Sequence, residues 1–190
     1  MTDAPWELSS YRLRRKVLKL FGASFHVYDG ERVIACCNQK AFKLREDIRL
    51  FADEAQTREL LWIRARQIVD FSACYDVVDS QTQQKVGALR RRGMKSIVRD
   101  SWEVLDADDQ PIGKVEEDSM FLAMVRRLLS NLVPQKFHLQ ATRGGAAQLR
   151  QRWNPFVYSL EVSVPRDLGI DPRLVFAAAV LIAAIEGRQS

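Results

Sequence analysis

One segment limits what this chain can fold into more than any other. Between Arg173 and Glu186 runs an unbroken apolar stretch, Leu174 to Ile185. Asp171 is a good N-cap, Pro172 suits the first helical position and Gly187 suits the position just past the end. Residues 171–187 therefore read as a helix that is apolar on every face, which has to be enclosed on all sides or sit in lipid. At roughly 1.5 Å per residue its uncharged part spans about 18 Å. The hydrocarbon core of a bilayer is roughly 30 Å thick, and apolar runs this short are usually core helices. The rest of the chain must then supply an enclosure.

It supplies strands. Phe25-His26-Val27-Tyr28 leads through Asp29-Gly30 to Arg32-Val33-Ile34-Ala35-Cys36, and an Asp-Gly pair between two such runs signals a two-residue hairpin. The pattern returns in Tyr75-Asp76-Val77-Val78-Asp79 before Lys85-Val86-Gly87-Ala88-Leu89, and in Trp102-Glu103-Val104-Leu105-Asp106 before Pro111-Ile112-Gly113-Lys114-Val115. Each time an aromatic is followed two residues on by Val and four residues on by Asp. Alternation places the aromatic and the Val on one face, and the Asp supplies turn chemistry. Further strands are expected at 41–44, 48–51, 59–66, 136–139, 146–152 and 156–162. One segment breaks the pattern: residues 119–132 have helical periodicity and stop before Pro134, so they read as an amphipathic helix capped by Asp118 or Ser119. A large antiparallel sheet curls, and closing it removes its edges. A closed barrel threaded by the terminal helix buries that helix on every side. The expected fold is α+β but mainly β, as one domain over 1–190 with a loose lead-in at 1–10 from which Trp6 packs back onto the body.

The sequence also resembles the LURP-one-related proteins, a branch of the Tubby-like superfamily that includes the phospholipid scramblases. The likeness is carried by Lys16-Val17-Leu18-Lys19-Leu20 before Phe25-His26-Val27-Tyr28-Asp29, by Gln39-Lys40-Ala41-Phe42, and by Glu59 to Arg66. It continues through Tyr75 to Asp79, Lys85 to Arg91 and the terminal helix, so that it covers most of residues 11–187. The resemblance implies a Tubby-like closed antiparallel barrel of about twelve strands around a central hydrophobic helix. It implies little function. Tubby proteins bind phosphoinositides through a basic pocket, and scramblases are linked to lipid movement and calcium. This chain lacks the scramblases' proline-rich N-terminal region, their run of palmitoylated cysteines and an acidic calcium loop beside the last helix.

No catalytic constellation is legible. His26 and His138 each sit in an alternating strand segment with no nucleophile or orienting partner indicated nearby. Three cysteines without CxxC spacing fit free thiols in a reducing compartment, with Cys74 a small core residue. Of the adjacent Cys36 and Cys37, alternation makes one inward and inert and leaves the other open to modification. Asp106, Asp108 and Asp109 lack the closing carboxylates of a calcium loop and read as a solvated hairpin turn. Neither a metal nor a cofactor is implied. No N-terminal apolar h-region is present, so a cytoplasmic protein is expected, with peripheral membrane attachment as the reading to test.

The basic residues carry more information. The formal net charge is +5, and the basic side chains come in runs. Arg12, Arg14, Arg15, Lys16 and Lys19 crowd the first strand. Lys40, Lys43, Arg45, Arg49, Arg64 and Arg66 follow, and Arg90, Arg91, Arg92 and Lys95 form a basic turn. Clustered on one barrel face, Lys40, Lys43, Arg45, Arg64, Arg66 and the 90–95 turn would attract anionic lipid headgroups at roughly 1 kcal/mol per residue. Glu46, Asp47 and Glu59 would partly neutralise them, and charged side chains also guard solvent-facing strands against aggregation. The expected activity is non-enzymatic binding of anionic phospholipid or phosphoinositide headgroups, with protein–protein scaffolding as the alternative. The aromatics lie at inward strand positions and do not interleave the basic clusters, which speaks against nucleic acid.

Overall fold

A computed structural model of the protein describes residues 4–16, 23–39, 47–67, 73–92, 101–117, 134–152, 154 and 157–186. Among the described residues, twelve strands form the sheet: β1 (Ser10–Lys16), β2 (Ala23–Asp29), β3 (Arg32–Gln39), β4 (Asp47–Phe51), β5 (Glu59–Gln67), β6 (Cys74–Asp79), β7 (Lys85–Arg92), β8 (Ser101–Leu105), β9 (Pro111–Glu117), β10 (Lys136–Ala141), β11 (Ala146–Arg152) and β12 (Val157–Ser163). Each pairs antiparallel with its neighbours in sequence, and β1 pairs with β12, Leu13 opposite Leu160, to close the barrel. The helix α1 (Pro172–Glu186) follows. The expected strand at 41–44 and the expected amphipathic helix at 119–132 lie outside the described residues, as does Gly187.

The core is the barrel lumen. It draws buried residues from all twelve strands and from α1, where Leu174 to Ala184 are each at most 3% exposed. The terminal helix is thus central, as its lack of a polar face requires. Asp171 caps it as expected, accepting the Arg173 N–H on Oδ1 at 2.9 Å, while its carbonyl accepts the Leu174 N–H. At the other end a buried strand residue completes the last turn. The Arg15 guanidinium reaches inward from β1 and donates to the Ala183 carbonyl at 3.3 Å, which puts a cation at the negative end of the helix. A 3-10 turn at Pro5–Glu7 sets the Trp6 ring edge-on to Phe176 at 6.3 Å, so the lead-in also packs against α1.

The repeated aromatic–Val–Asp unit does what its spacing predicts. Phe25 and Val27, Tyr75 and Val77, and Trp102 and Val104 are buried on the inner face. Asp79 and Asp106 organise their turns by accepting backbone N–H groups, from Gln81 and Thr82 and from Asp108 and Gln110. The first hairpin differs in detail. Asp29 pairs with Arg32, so the two turn residues are Gly30 and Glu31, one position later than the Asp-Gly signal predicts. Gly30 takes the positive φ of 56°. A bulge opposite Val27 and Tyr28, which pair with Ala35 and Val33, leaves Ile34 of β3 as the extra residue.

Candidate functional site

Two stretches of outer wall carry the basic residues, and they differ in how those charges are balanced. The first spans β4 to β8. Of the residues expected to bind headgroups, Arg64, Arg66, Arg90 and Arg92 lie here and Arg91 is on the inward side of β7, whereas Lys40, Lys43, Arg45 and Lys95 lie outside the described residues. Arg66 meets Asp76 at 2.6 Å and also pairs with Asp109, which takes Lys85 at 2.7 Å. Arg64 stands 3.9 Å from Asp76 and lies over the Trp62 ring, as does Arg49. Arg49 in turn pairs with Glu59 at 2.9 Å. Arg90 and Arg92 share Glu103, Arg90 at 2.6 Å. Arg91 sits opposite Trp102 with its guanidinium 6.0 Å from the ring.

Arg49, Arg64, Arg66, Arg90 and Arg92 are held in ion pairs with carboxylates set on neighbouring strands and turns. Burial works against ionisation of Glu103, but hydrogen bonds and charge from Arg92 and Arg90 hold its carboxyl below the ordinary value. The hydrogen bond from Arg66, with help from Lys85, lowers Asp109 to about 2. The 106–109 turn is therefore tied down by cations, and its acidic character is spent on Arg66 and Lys85.

The second stretch is formed where the ends of the chain meet, on β2, β1, β12 and β11. Two transverse rows of outward residues cross these four strands. In one, Tyr28, Arg12, Glu161 and Arg150 are successive register partners. In the other, His26, Arg14, Ser159 and Arg152 are. Two open surface depressions, of ≈ 370 and ≈ 290 Å³, lie along these rows and share Arg12 and Glu161. Arg152 pairs with Glu161 at 2.9 Å, and Arg14 lies over the Tyr28 ring at 5.7 Å. Among the described residues no carboxylate pairs with Arg12, Arg14 or Arg150. Arg12 and Arg14 are visible in the sequence as part of a basic first strand. Arg150 and Arg152 join them only through barrel closure, which sequence spacing does not reveal.

One place brings together a thiol, an imidazole and a carboxylate. His26 and Cys36 are register partners on β2 and β3, and His26 Nε2 lies 3.0 Å from Glu54 Oε1. The arrangement is not a nucleophilic site. Cys36 is 3% exposed, and its thiol donates to the Asp53 carbonyl at 3.0 Å under the loop that follows β4. Burial, and then the carboxylates of Glu54 and Asp53, raise its pKa and disfavour the thiolate that attack would need. Both cysteines of the pair are therefore buried. The expectation that one is open to modification fails because this loop covers the outward side of β3.

No helix among the described residues is long and apolar enough to cross a membrane. A search of curated proteins and a search of solved structures each found no match. A family model described as LURP-one-related matches residues 33–183. That span runs from the second strand of the first hairpin into the central helix, and with the closed twelve-stranded barrel it establishes that the chain belongs to the LURP-one-related family.

Proposed function

We propose that this protein is a non-enzymatic barrel that binds anionic phospholipid headgroups, phosphoinositides among them, at a cytoplasmic membrane surface. One observation carries the reading. Arg12, Arg14 and Arg150 project from a single wall with no carboxylate partner among the described residues, so their charge is available to an external anion at roughly 1 kcal/mol each near an anionic leaflet. The β4–β8 wall contributes less, because its arginines already face Asp76, Glu103, Asp109 and Glu59. Co-sedimentation with neutral and anionic vesicles tests the proposal. Binding is expected to anionic vesicles only and to weaken as salt is raised, since exposed charges are screened beyond about 10 Å at 0.1 M. Failure to bind any anionic vesicle at low salt overturns it.

Protein docking is the second reading, and Trp62 favours it. This half-buried ring sits on the outer wall with two guanidinium groups over it, Arg49 at 4.5 Å and Arg64 at 4.9 Å, and tryptophan and arginine are among the residues enriched at interface hot spots. A partner retained from native extract at high salt by the wild type and lost by Trp62→Ala would support it.

A further inference from the structure

We infer that the two depressions on the β2–β1–β12–β11 wall form one discrete site for a phosphate monoester, with Glu161 as the group that the ligand displaces from Arg152. The inference rests on the anionic-headgroup reading above and deepens it, because a discrete site distinguishes a phosphate monoester from a merely negative surface.

Geometry is the first support. Arg12 and Arg150 flank Glu161 from the two neighbouring strands, and Arg14 and Arg152 flank Ser159 in the same way. With strands about 4.8 Å apart and two residues of rise between the rows, the four Cα positions outline a rectangle of roughly 10 by 7 Å. Long guanidinium side chains can converge over such a span. Guanidinium forks match phosphate oxygens two at a time, and Ser159 sits between the arginines of the second row.

Charge is the second. Arg12, Arg14, Arg150 and Arg152 bring four positive charges, and the carboxylates lining the same depressions are Glu161 and Asp29, which leaves two. A phosphate monoester carries about −1.5 to −2 at neutral pH, which that surplus balances, whereas a carboxylate or a phosphodiester brings only one charge.

The third is the poise of the pair. The Arg152–Glu161 contact is solvent-exposed, with Arg152 60% and Glu161 36% accessible, so exchanging one anion for another on Arg152 is easy. Glu161 then competes with the ligand, and removing its charge strengthens binding.

The experiment compares the whole protein on vesicles of phosphatidylcholine doped with phosphatidic acid, which ends in a phosphate monoester, or with phosphatidylserine at matched surface charge. Glycerol 3-phosphate serves as a soluble probe in a calorimetric titration. Three variants are measured: Arg12→Gln with Arg150→Gln; Glu161→Gln; and a charge-matched control, Arg64→Gln with Arg92→Gln, on the other wall. Thermal unfolding confirms that each is folded. Phosphatidic acid vesicles are expected to bind more tightly than phosphatidylserine vesicles. The Arg12/Arg150 pair should lower that affinity at least about tenfold, Glu161→Gln should raise it several-fold, and the control should change it less than about threefold. Equal binding to both anionic vesicles, reduced alike by the Arg12/Arg150 pair and the control, overturns the discrete site and leaves the surface reading standing. Saturable glycerol 3-phosphate binding that is lost in the Arg12/Arg150 pair, with no vesicle binding, supports the site and overturns the membrane reading. Binding to neither probe overturns both.

Discussion

Replacing Asp79 with alanine removes the carboxylate that ties a hairpin turn to the start of the central helix. Its Oδ1 accepts the N–H groups of Gln81 at 2.9 Å and Thr82 at 3.1 Å, and its Oδ2 takes the Arg173 guanidinium at 2.7 Å. The side chain is 12% accessible, so the pair is shielded from solvent screening. The two turn N–H groups belong to exposed residues and can turn to water, so each contributes about 0.5–1 kcal/mol. A hydrogen bond to a charged group contributes about 1.5–3 kcal/mol. Arg173 keeps Asp171 at 2.6 Å, which holds the loss below the 3–5 kcal/mol expected when a buried charge is stranded. The total is about 3 kcal/mol, or a drop in Tm of about 6–12 °C for a chain of this size. Asp79→Asn keeps the turn bonds and should lose about half as much. Thermal unfolding followed by circular dichroism measures both. The pH dependence is a second check. Burial opposes ionisation of Asp79, but the Thr82 N–H, Arg173 and the Gln81 N–H hold its pKa below the ordinary value. A depressed carboxylate stabilises the fold above its unfolded pKa of about 3.9, and that contribution fades as pH falls through the folded value. The gap between wild type and Asp79→Asn should therefore narrow below about pH 4. A Tm change under about 2 °C for Asp79→Ala at neutral pH, or a gap that persists at acid pH, would refute the reasoning.

The other predictions test the lumen. Val180→Lys places a charge at a position that is 0% exposed, which should abolish soluble native protein; a soluble variant with native near-ultraviolet dichroism would show that the helix is not enclosed. Gly87→Ala puts a methyl group 2.3 Å from the Leu105 carbonyl oxygen and 3.0 Å from both Leu174 methyls, and should lower the denaturant midpoint by the equivalent of at least about 1–3 kcal/mol. Arg15→Met keeps the apolar stem but removes the bond to the Ala183 carbonyl, a loss of about 1.5–3 kcal/mol by the same unfolding assay. Cys36 and Cys37 should resist a thiol reagent until the protein unfolds, because both are buried and burial pushes the Cys37 thiol up to about 12; rapid labelling of either in the native state would contradict this.

The barrel was readable because its cause is local. Period-two alternation in Phe25-Val27, Tyr75-Val77 and Trp102-Val104 fixes which face is inward, and an all-apolar helix leaves few places to put it. Trp62 departs from the expectation that the aromatics lie inward and apart from the basic clusters: alternation along β5 sets it on the outward side with Arg64 and Arg66. The balance of charge was not readable. Whether Arg66 is free depends on Asp109, forty-three positions later, and whether Arg90 is free depends on Glu103, one strand further on. Cross-strand partners follow from register, which a single sequence specifies poorly outside tight hairpins. The β1–β12 seam is the extreme case. It joins residues nearly as far apart as the chain permits, so a wall built from Arg12, Arg14, Arg150 and Arg152 leaves no contiguous trace. The burial of Cys36 is hidden for a related reason: alternation places it outward, and only the loop carrying Asp53 encloses it.

The order of the parts has a consequence for how the protein is made. The helix that fills the lumen is translated after every strand that surrounds it, and the seam between β1 and β12 cannot form until nearly all of the sheet exists. A nascent chain emerging from the ribosome thus carries a full set of inward-facing aromatics and valines with nothing yet to cover them, and pairings of this sequence separation form slowly. During that interval the exposed strands invite association with other chains. Synthesis of α1 ends this exposure, and Arg173 and Arg15, one near each end of the helix, hold it in place. Truncation or frameshift within the last segment should therefore lead to aggregation and clearance of the whole polypeptide, with no partially active barrel left behind.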